Sequence, residues 1–171
     1  MTTHYEKMRS FCTSWTDDHI KGFFGWSADE YGFLSNFHRC DVVFEGELYP
    51  SSENAYMAAK TTDENIRIKF QDWNFSSAEA KKLGQSIQLR PHWEELKLEI
   101  MSSIVEDKFR RNLDIQQRLL DTGDKYLEET NWWNDRFWGV DYRSGEGENH
   151  LGKILMKVRK KIRNELQERT I

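Results

Sequence analysis

Cysteine is nearly absent from this chain of 171 residues: Cys12 and Cys40 are the only two. Two thiols at that separation match no zinc spacing and supply no disulfide framework, so the fold must hold by packing. Proline is represented by Pro50 and Pro91 alone, and ten glycines leave no composition from which to build a linker. No apolar run is long enough for a signal peptide or a membrane span, which makes the cytoplasm the expected location and leaves no membrane partner to expect. Positive charge is not in excess either. Lys and Arg number 25 against 29 Asp and Glu, a net charge of -4. That balance argues against tight non-specific nucleic-acid binding, though not against recognition of one modified nucleotide. The five His, at positions 4, 19, 38, 92 and 150, form no H-E-x-x-H or comparable pattern, so neither a metal nor a cofactor is expected. Internal repeats and low-complexity segments are missing too.

What is abundant is aromatic and charged. Hydrophobic residues make up 37%, aromatic residues 13% and charged residues 32%. This suits one globular domain with a sizeable core and a polar surface.

The sequence is organised around Tyr49-Pro50-Ser51-Ser52-Glu53-Asn54-Ala55-Tyr56-Met57-Ala58-Ala59-Lys60. Pro50 and the two serines read as a helix start, with Ser51 or Ser52 as the cap. Glu53, Tyr56 and Lys60 stand at i, i+3 and i+7 and share one face. The alanines lie behind them, where a neighbouring element can approach closely. If that face lines a pocket, desolvation lowers the Lys60 pKa and makes the amine a nucleophile. Spacing alone favours a plainer reading, a capping Glu and a solvated Lys.

Before this helix, Ser35 and Asn36 sit among aromatics in Phe33-Leu34-Ser35-Asn36-Phe37, either as a buried turn or as groups that hold ribose hydroxyls. Phe23 to Trp26 reads as a short strand. Residues 41–49 read as a hairpin turning at Glu45-Gly46, with Val42, Phe44 and Leu48 as its apolar positions. Ile66, Ile68, Phe70 and Trp73 form a further apolar group. Ser76 and Glu79 make a capping box for a helix ending at Gly84. The longest helix is expected from Trp93 to about Arg111, with Trp93, Leu96, Ile100, Ile104, Val105 and Phe109 as its stripe. A short helix over 114–120 stops at Asp121-Thr122-Gly123. Phe137 to Val140 reads as a strand carrying Trp138, residues 142–149 as a flexible loop, and Leu151 to Leu166 as the final, basic helix.

Taken in order, Phe33-Leu34-Ser35-Asn36-Phe37, the Pro50 to Lys60 helix, Asp135-Arg136-Phe137-Trp138-Gly139-Val140 and Asn149-His150-Leu151-Gly152-Lys153-Ile154-Leu155-Met156 with Arg159 resemble the motifs of the NADAR, or YbiA-like, family. The resemblance spans about Phe23 to Arg163 and also takes in Met101 and Lys108. Asn54 departs from it, standing where related segments often carry His.

The resemblance implies cleavage of N-glycosidic bonds of ribosyl compounds, either ADP-ribose on guanine bases, in nucleotides or in DNA or RNA, or phosphoribosyl intermediates of riboflavin biosynthesis. A binding module for ADP-ribose or NAD-derived ligands, without turnover, is the third reading. Such cleavage needs a nucleophile, proton transfer to the leaving base and stabilisation of an oxocarbenium-like centre. The implied roles are Lys60 as nucleophile and Glu53 and Asp135 as acids. Phe24 and Trp138 would stack on a ring. Ser35, Asn36, Phe37, Tyr56, Gly139 and Asn149 would complete substrate binding, with the backbone of residues 145–147 toward phosphate. The expected pocket brings Glu53, Lys60, Ser35, Asn36 and Trp138 together. The fold class expected is α+β: a mostly helical single domain over 23–166 with a small sheet from around Phe23, Val42 and Phe137. An N-terminal extension over 1–22 packs on it, and 167–171 form a tail.

Overall fold

The hairpin and the helix that follows it organise the first part of the fold. The computed structural model describes residues 18–23 and 30–169. Strands β2 (Arg39–Phe44) and β3 (Glu47–Ser51) pair antiparallel, with Val42 opposite Tyr49 and Val43 opposite Leu48. Glu45 and Gly46 both take positive φ, 50° and 82°, the geometry that a two-residue hairpin turn requires. Tyr49, fully buried, does the packing that the sequence reading gave to Leu48, which is 44% exposed.

Strand β3 runs directly into α1 (Ser52–Ala59), and α2 (Glu64–Arg67) follows it. Ala55, Ala58 and Ala59 are fully buried, and α1 packs against β2, β3, α3 (Ser77–Gly84) and α4 (Trp93–Arg111). A helix covered by this many neighbours needs small side chains at its back, and the alanines supply them. Ser76 and Glu79 form the capping box at the start of α3. Of the apolar group at 66–73, only Phe70 is buried; Ile68 and Trp73 are 63% and 49% exposed. The chain from 36 to 118 makes up one compact unit, and residues 1–35 with 119–171 make up another.

In that other unit, β1 (His19–Lys21) runs parallel to β4 (Tyr126–Glu128), and β5 (Thr130–Asn131) runs parallel to β6 (Val140–Asp141). Helix α5 (Leu113–Asp121) leads into this part, and α6 (His150–Glu168) packs on β4. Leu151, Ile154, Leu155, Val158 and Ile162 face its core, as their spacing predicts. Arg159 joins them, buried, donating to Thr122 Oγ1 at 2.7 Å and to the Lys125 carbonyl at 2.9 Å.

The fold is α+β, about half helical with small sheets. Among the described residues three two-stranded sheets replace the one expected, and their locations differ. The strand near Phe23 is β1, ending at Lys21, and residues 24–26 lie outside the described residues. Phe137 and Trp138 belong to a turn, because their N–H groups donate to Asp135 Oδ1 at 3.1 and 2.9 Å rather than to a neighbouring strand. Among the described residues no helix is long and apolar enough to cross a membrane.

Candidate active site

The start of α1 is held by side chains that the local sequence makes inevitable. Ser51, extended at φ -167°, caps the helix by accepting from the Asn54 N–H at 3.0 Å. Its hydroxyl also donates to Asn54 Oδ1 at 2.7 Å and lies 2.9 Å from the Ser77 hydroxyl. Asn54 Nδ2 donates to the carbonyls of Phe70 and Phe75 at 3.1 and 3.0 Å. One buried amide therefore ties α1 to the chain that enters α3, which is what the departure at this position does.

Along the face that carries the row, Glu53 is 6% exposed and Tyr56 5%. The Glu53 N–H donates to the Asn36 carbonyl at 2.9 Å, fastening residue 36 to the first turn. Tyr56 packs its ring on Trp93 with centroids 5.1 Å apart. Lys60 closes the helix as its C-cap residue, and its Nζ donates to the Gly84 carbonyl at 2.9 Å. Burial draws the Lys60 ammonium below its ordinary 10.5; Glu53 and Glu94 pull it up and Lys81 pushes it down, and the lowering wins. Desolvation thus outweighs the neighbouring carboxylates, the condition a nucleophilic amine at this place requires.

Asn36 lies at the amino end of the helix, beside Glu53. It is 9% exposed and turns Nδ2 toward Met101 Sδ at 3.5 Å. The Phe37 ring has Lys81 Nζ above it at 5.7 Å, and its carbonyl accepts from Ser77 at 3.4 Å. Asn36, Phe37, Glu53, Tyr56 and Lys60 all belong to the 36–118 unit.

The remaining candidates belong to the other unit. Ser35, buried, ends a short 3-10 turn by donating its N–H to the Gly32 carbonyl. Asp135 accepts from two backbone N–H groups and shapes the turn that presents Trp138, whose ring stands edge-on to Phe137 at 4.9 Å. At Gly139 a Cβ would collide with the Glu129 carbonyl, so this glycine serves a close backbone approach. Asn149, 2% exposed and at φ 51°, accepts from the Glu129 N–H and donates to the Leu127 carbonyl and the Tyr126 hydroxyl. Both of its donor hydrogens are thereby engaged in fixing β4 to the start of α6. The 142–149 loop is hydrogen-bonded rather than open: Gly145 N–H donates to the Asp141 carbonyl and Glu148 N–H to the Arg136 carbonyl, at 2.8 and 2.7 Å. Phe24 lies outside the described residues.

Sequence reasoning missed Gly84, Lys81 and Glu94 as modulators of Lys60, because all three come from helices distant in sequence. A groove of about 280 Å³ is lined by Glu45, Glu47, Glu64, Arg67, Ile68 and Gln71, none of them in the Lys60 row. Its one cation, Arg67, is held by Glu45 at 2.7 Å, which leaves a lining poorly suited to an anion.

Comparison with known proteins supplies the context. The NADAR domain model matches residues 22–163. A riboflavin biosynthesis protein of Vibrio vulnificus (strain YJ016) is 38% identical over 136 residues, covering 78% of this chain but only 36% of that longer protein. The N-glycosidase YbiA of Escherichia coli (strain K12) is 34% identical over 139 residues, 80% of this chain and 84% of the relative. The NMR structure of E. coli YbiA superposes with a TM-score of 0.77 at 30% identity, covering 90% of each chain. With most of its length matched in sequence and in fold, the chain belongs to the NADAR family.

Proposed function

We propose that this protein is an N-glycosidase that hydrolyses the bond between a ribosyl group and a nucleobase, with ADP-ribosylated guanine, free or in DNA or RNA, as its substrate. The observation that carries the reading is Lys60: an amine depressed by burial, in line with the buried acid Glu53 on one helix face. Relatives named N-glycosidase support the reaction class.

In the proposed chemistry the neutral Lys60 Nζ forms a bond to the anomeric carbon while the C–N bond to the base breaks, and the base leaves with a proton. Loss of a proton from Nζ and opening of the sugar ring, with protonation of the ring oxygen, give an imine. Water adds to the imine carbon, the amine departs, and the sugar is released. Glu53 relays the protons.

The second reading, a phosphoribosyl intermediate of riboflavin biosynthesis as substrate, is favoured by the name of the Vibrio relative, a riboflavin biosynthesis protein. Both substrates present a ribosyl 5-phosphate. A panel containing the guanine adduct of ADP-ribose and phosphoribosyl aminopyrimidines, read by mass spectrometry for released base, separates the two. Free guanine with the native protein, and a loss of roughly 10³-fold or more in Lys60→Arg, is the expected result. Binding without release of any base would make the protein a ligand-binding module.

A further inference from the structure

We propose that Glu45, at the tip of the β2–β3 hairpin, is a positioning residue for Lys60 and acts on it through Arg90. The inference rests on the N-glycosidase reading and names a residue outside the Glu53–Lys60 row on which that row depends.

Lys60 is held at both ends by one stretch of chain. Its Nζ donates to the Gly84 carbonyl at 2.9 Å, and its own carbonyl accepts from the Arg90 N–H at 2.5 Å. The second bond matters because Lys60 is the C-cap residue of α1, where a carbonyl has no partner within the helix. The main chain at Arg90 therefore fixes where α1 stops and the point from which the Lys60 side chain sets out. Arg90 is fixed in turn. Its Nη1 and Nη2 donate to Glu45 Oε1 and Oε2 at 2.9 and 3.2 Å, a two-point grip that sets orientation as well as distance. Those bonds are the largest cause holding the Glu45 carboxyl below its ordinary 4.5, so the grip is charged at neutral pH. Glu45, Lys60, Gly84 and Arg90 all belong to the 36–118 unit.

Glu45 also occupies a position that its residue type does not favour. At φ 50° it takes the left-handed region, which in a hairpin turn is the place of Asn, Asp or Gly. Asn and Gly carry no carboxylate, and Asp is one methylene shorter. A residue persists in such a conformation when its surroundings hold it, and here two guanidiniums do, Arg90 and Arg67. Arg67 shares the carboxylate, at 2.7 Å, but its other bond runs to the Tyr49 hydroxyl, away from the stretch that holds Lys60. The charges that move the Lys60 ammonium belong to Glu53, Glu94 and Lys81, not to Glu45. A change at Lys60 on replacing Glu45 must therefore travel through position and burial.

The test uses Glu45→Gln, Arg90→Gln, their combination and Arg67→Gln. Cleavage of the guanine adduct of ADP-ribose gives kcat and KM. Acetylation of Lys60 by acetic anhydride across pH, read by peptide mass spectrometry, titrates the amine without turnover. Glu45→Gln and Arg90→Gln should each lose about 10- to 100-fold in kcat with KM within about threefold, because a misplaced nucleophile slows the chemical step. In both, Lys60 should titrate at higher pH as water reaches it. The double variant should lose no more than either single one, the mark of two residues acting as a unit. Arg67→Gln should keep kcat within about threefold and leave the Lys60 titration in place. Every variant should melt within roughly 5 °C of the native protein, since part-exposed bridges add little stability. A Lys60 titration that stays in place in both Glu45→Gln and Arg90→Gln would overturn the proposal. So would Arg67→Gln matching them, since the bridges would then serve only the hairpin. A Lys60 titration that follows Glu45, in a protein that releases base from no ribosyl compound, would sustain the positioning role and overturn the N-glycosidase reading.

Discussion

Asn54 makes hydrogen bonds to three separate stretches of chain from a fully buried position. Asn54→Ala would strand the carbonyls of Phe70 and Phe75 and should cost about 2–4 kcal/mol of stability. A urea titration measures this; an unchanged midpoint would deny Asn54 its role. Lys108 is 1% exposed, and burial pulls its ammonium down to about 8, with Cys40 opposing. In the unfolded chain a Lys titrates near ~10.4. Between these values the unfolded chain holds a proton that the folded one has lost, so stability should rise with pH through that window, by about 3 kcal/mol in all. Below about 8 both states are protonated and the penalty is complete. Urea midpoints from pH 7 to 10 should show the rise in the native protein and its loss in Lys108→Met. At this scale the Glu53, Tyr56, Lys60 row was readable because helical spacing is local. The lowering of the Lys60 pKa was not, since burial comes from chain far away.

The end of α3 connects packing to chemistry. A Cβ at Gly84 would press on the Met57 side chain of α1, and the Gly84 carbonyl receives Lys60 Nζ. Gly84→Ala should therefore move the two helices apart at this point and let water reach Lys60. Weaker desolvation raises the Lys60 pKa toward 10.5. In the proposed mechanism the neutral amine reacts, so activity should rise with pH through that pKa, and the rise should shift to higher pH in Gly84→Ala. A pH–rate profile that falls uniformly with its midpoint in place would contradict the coupling. The limits of α3 and α4 were legible, as was the hairpin turn, because capping boxes, stop signals and turn residues act on their immediate neighbours. Phe137 to Gly139 misled for a complementary reason: residues leading into β6 read as part of the strand, and only Asp135 Oδ1, which takes the Phe137 and Trp138 N–H groups, shows the turn.

At the scale of the whole molecule, the pairings of β1 with β4 and of β5 with β6 had no local signal. Strands of two or three residues carry almost no periodicity, and a parallel partner is always distant in the chain. The fold class was readable nonetheless, since long helices with buried stripes outweigh such short strands. Ordered motifs spread over residues 22–163 gave the family, and the proposed function assigns its N-glycosidic chemistry to the Lys60 row. The covalent step is the centre of the proposed chemistry. Borohydride added during turnover reduces an imine to a stable amine, and peptide mass spectrometry then locates it. The expected result is a ribosyl adduct on the peptide containing Lys60, absent in Lys60→Arg, which should also lose cleavage because a guanidinium is not a nucleophile. Full cleavage by Lys60→Arg, with no adduct on the native protein, would contradict a covalent role for Lys60.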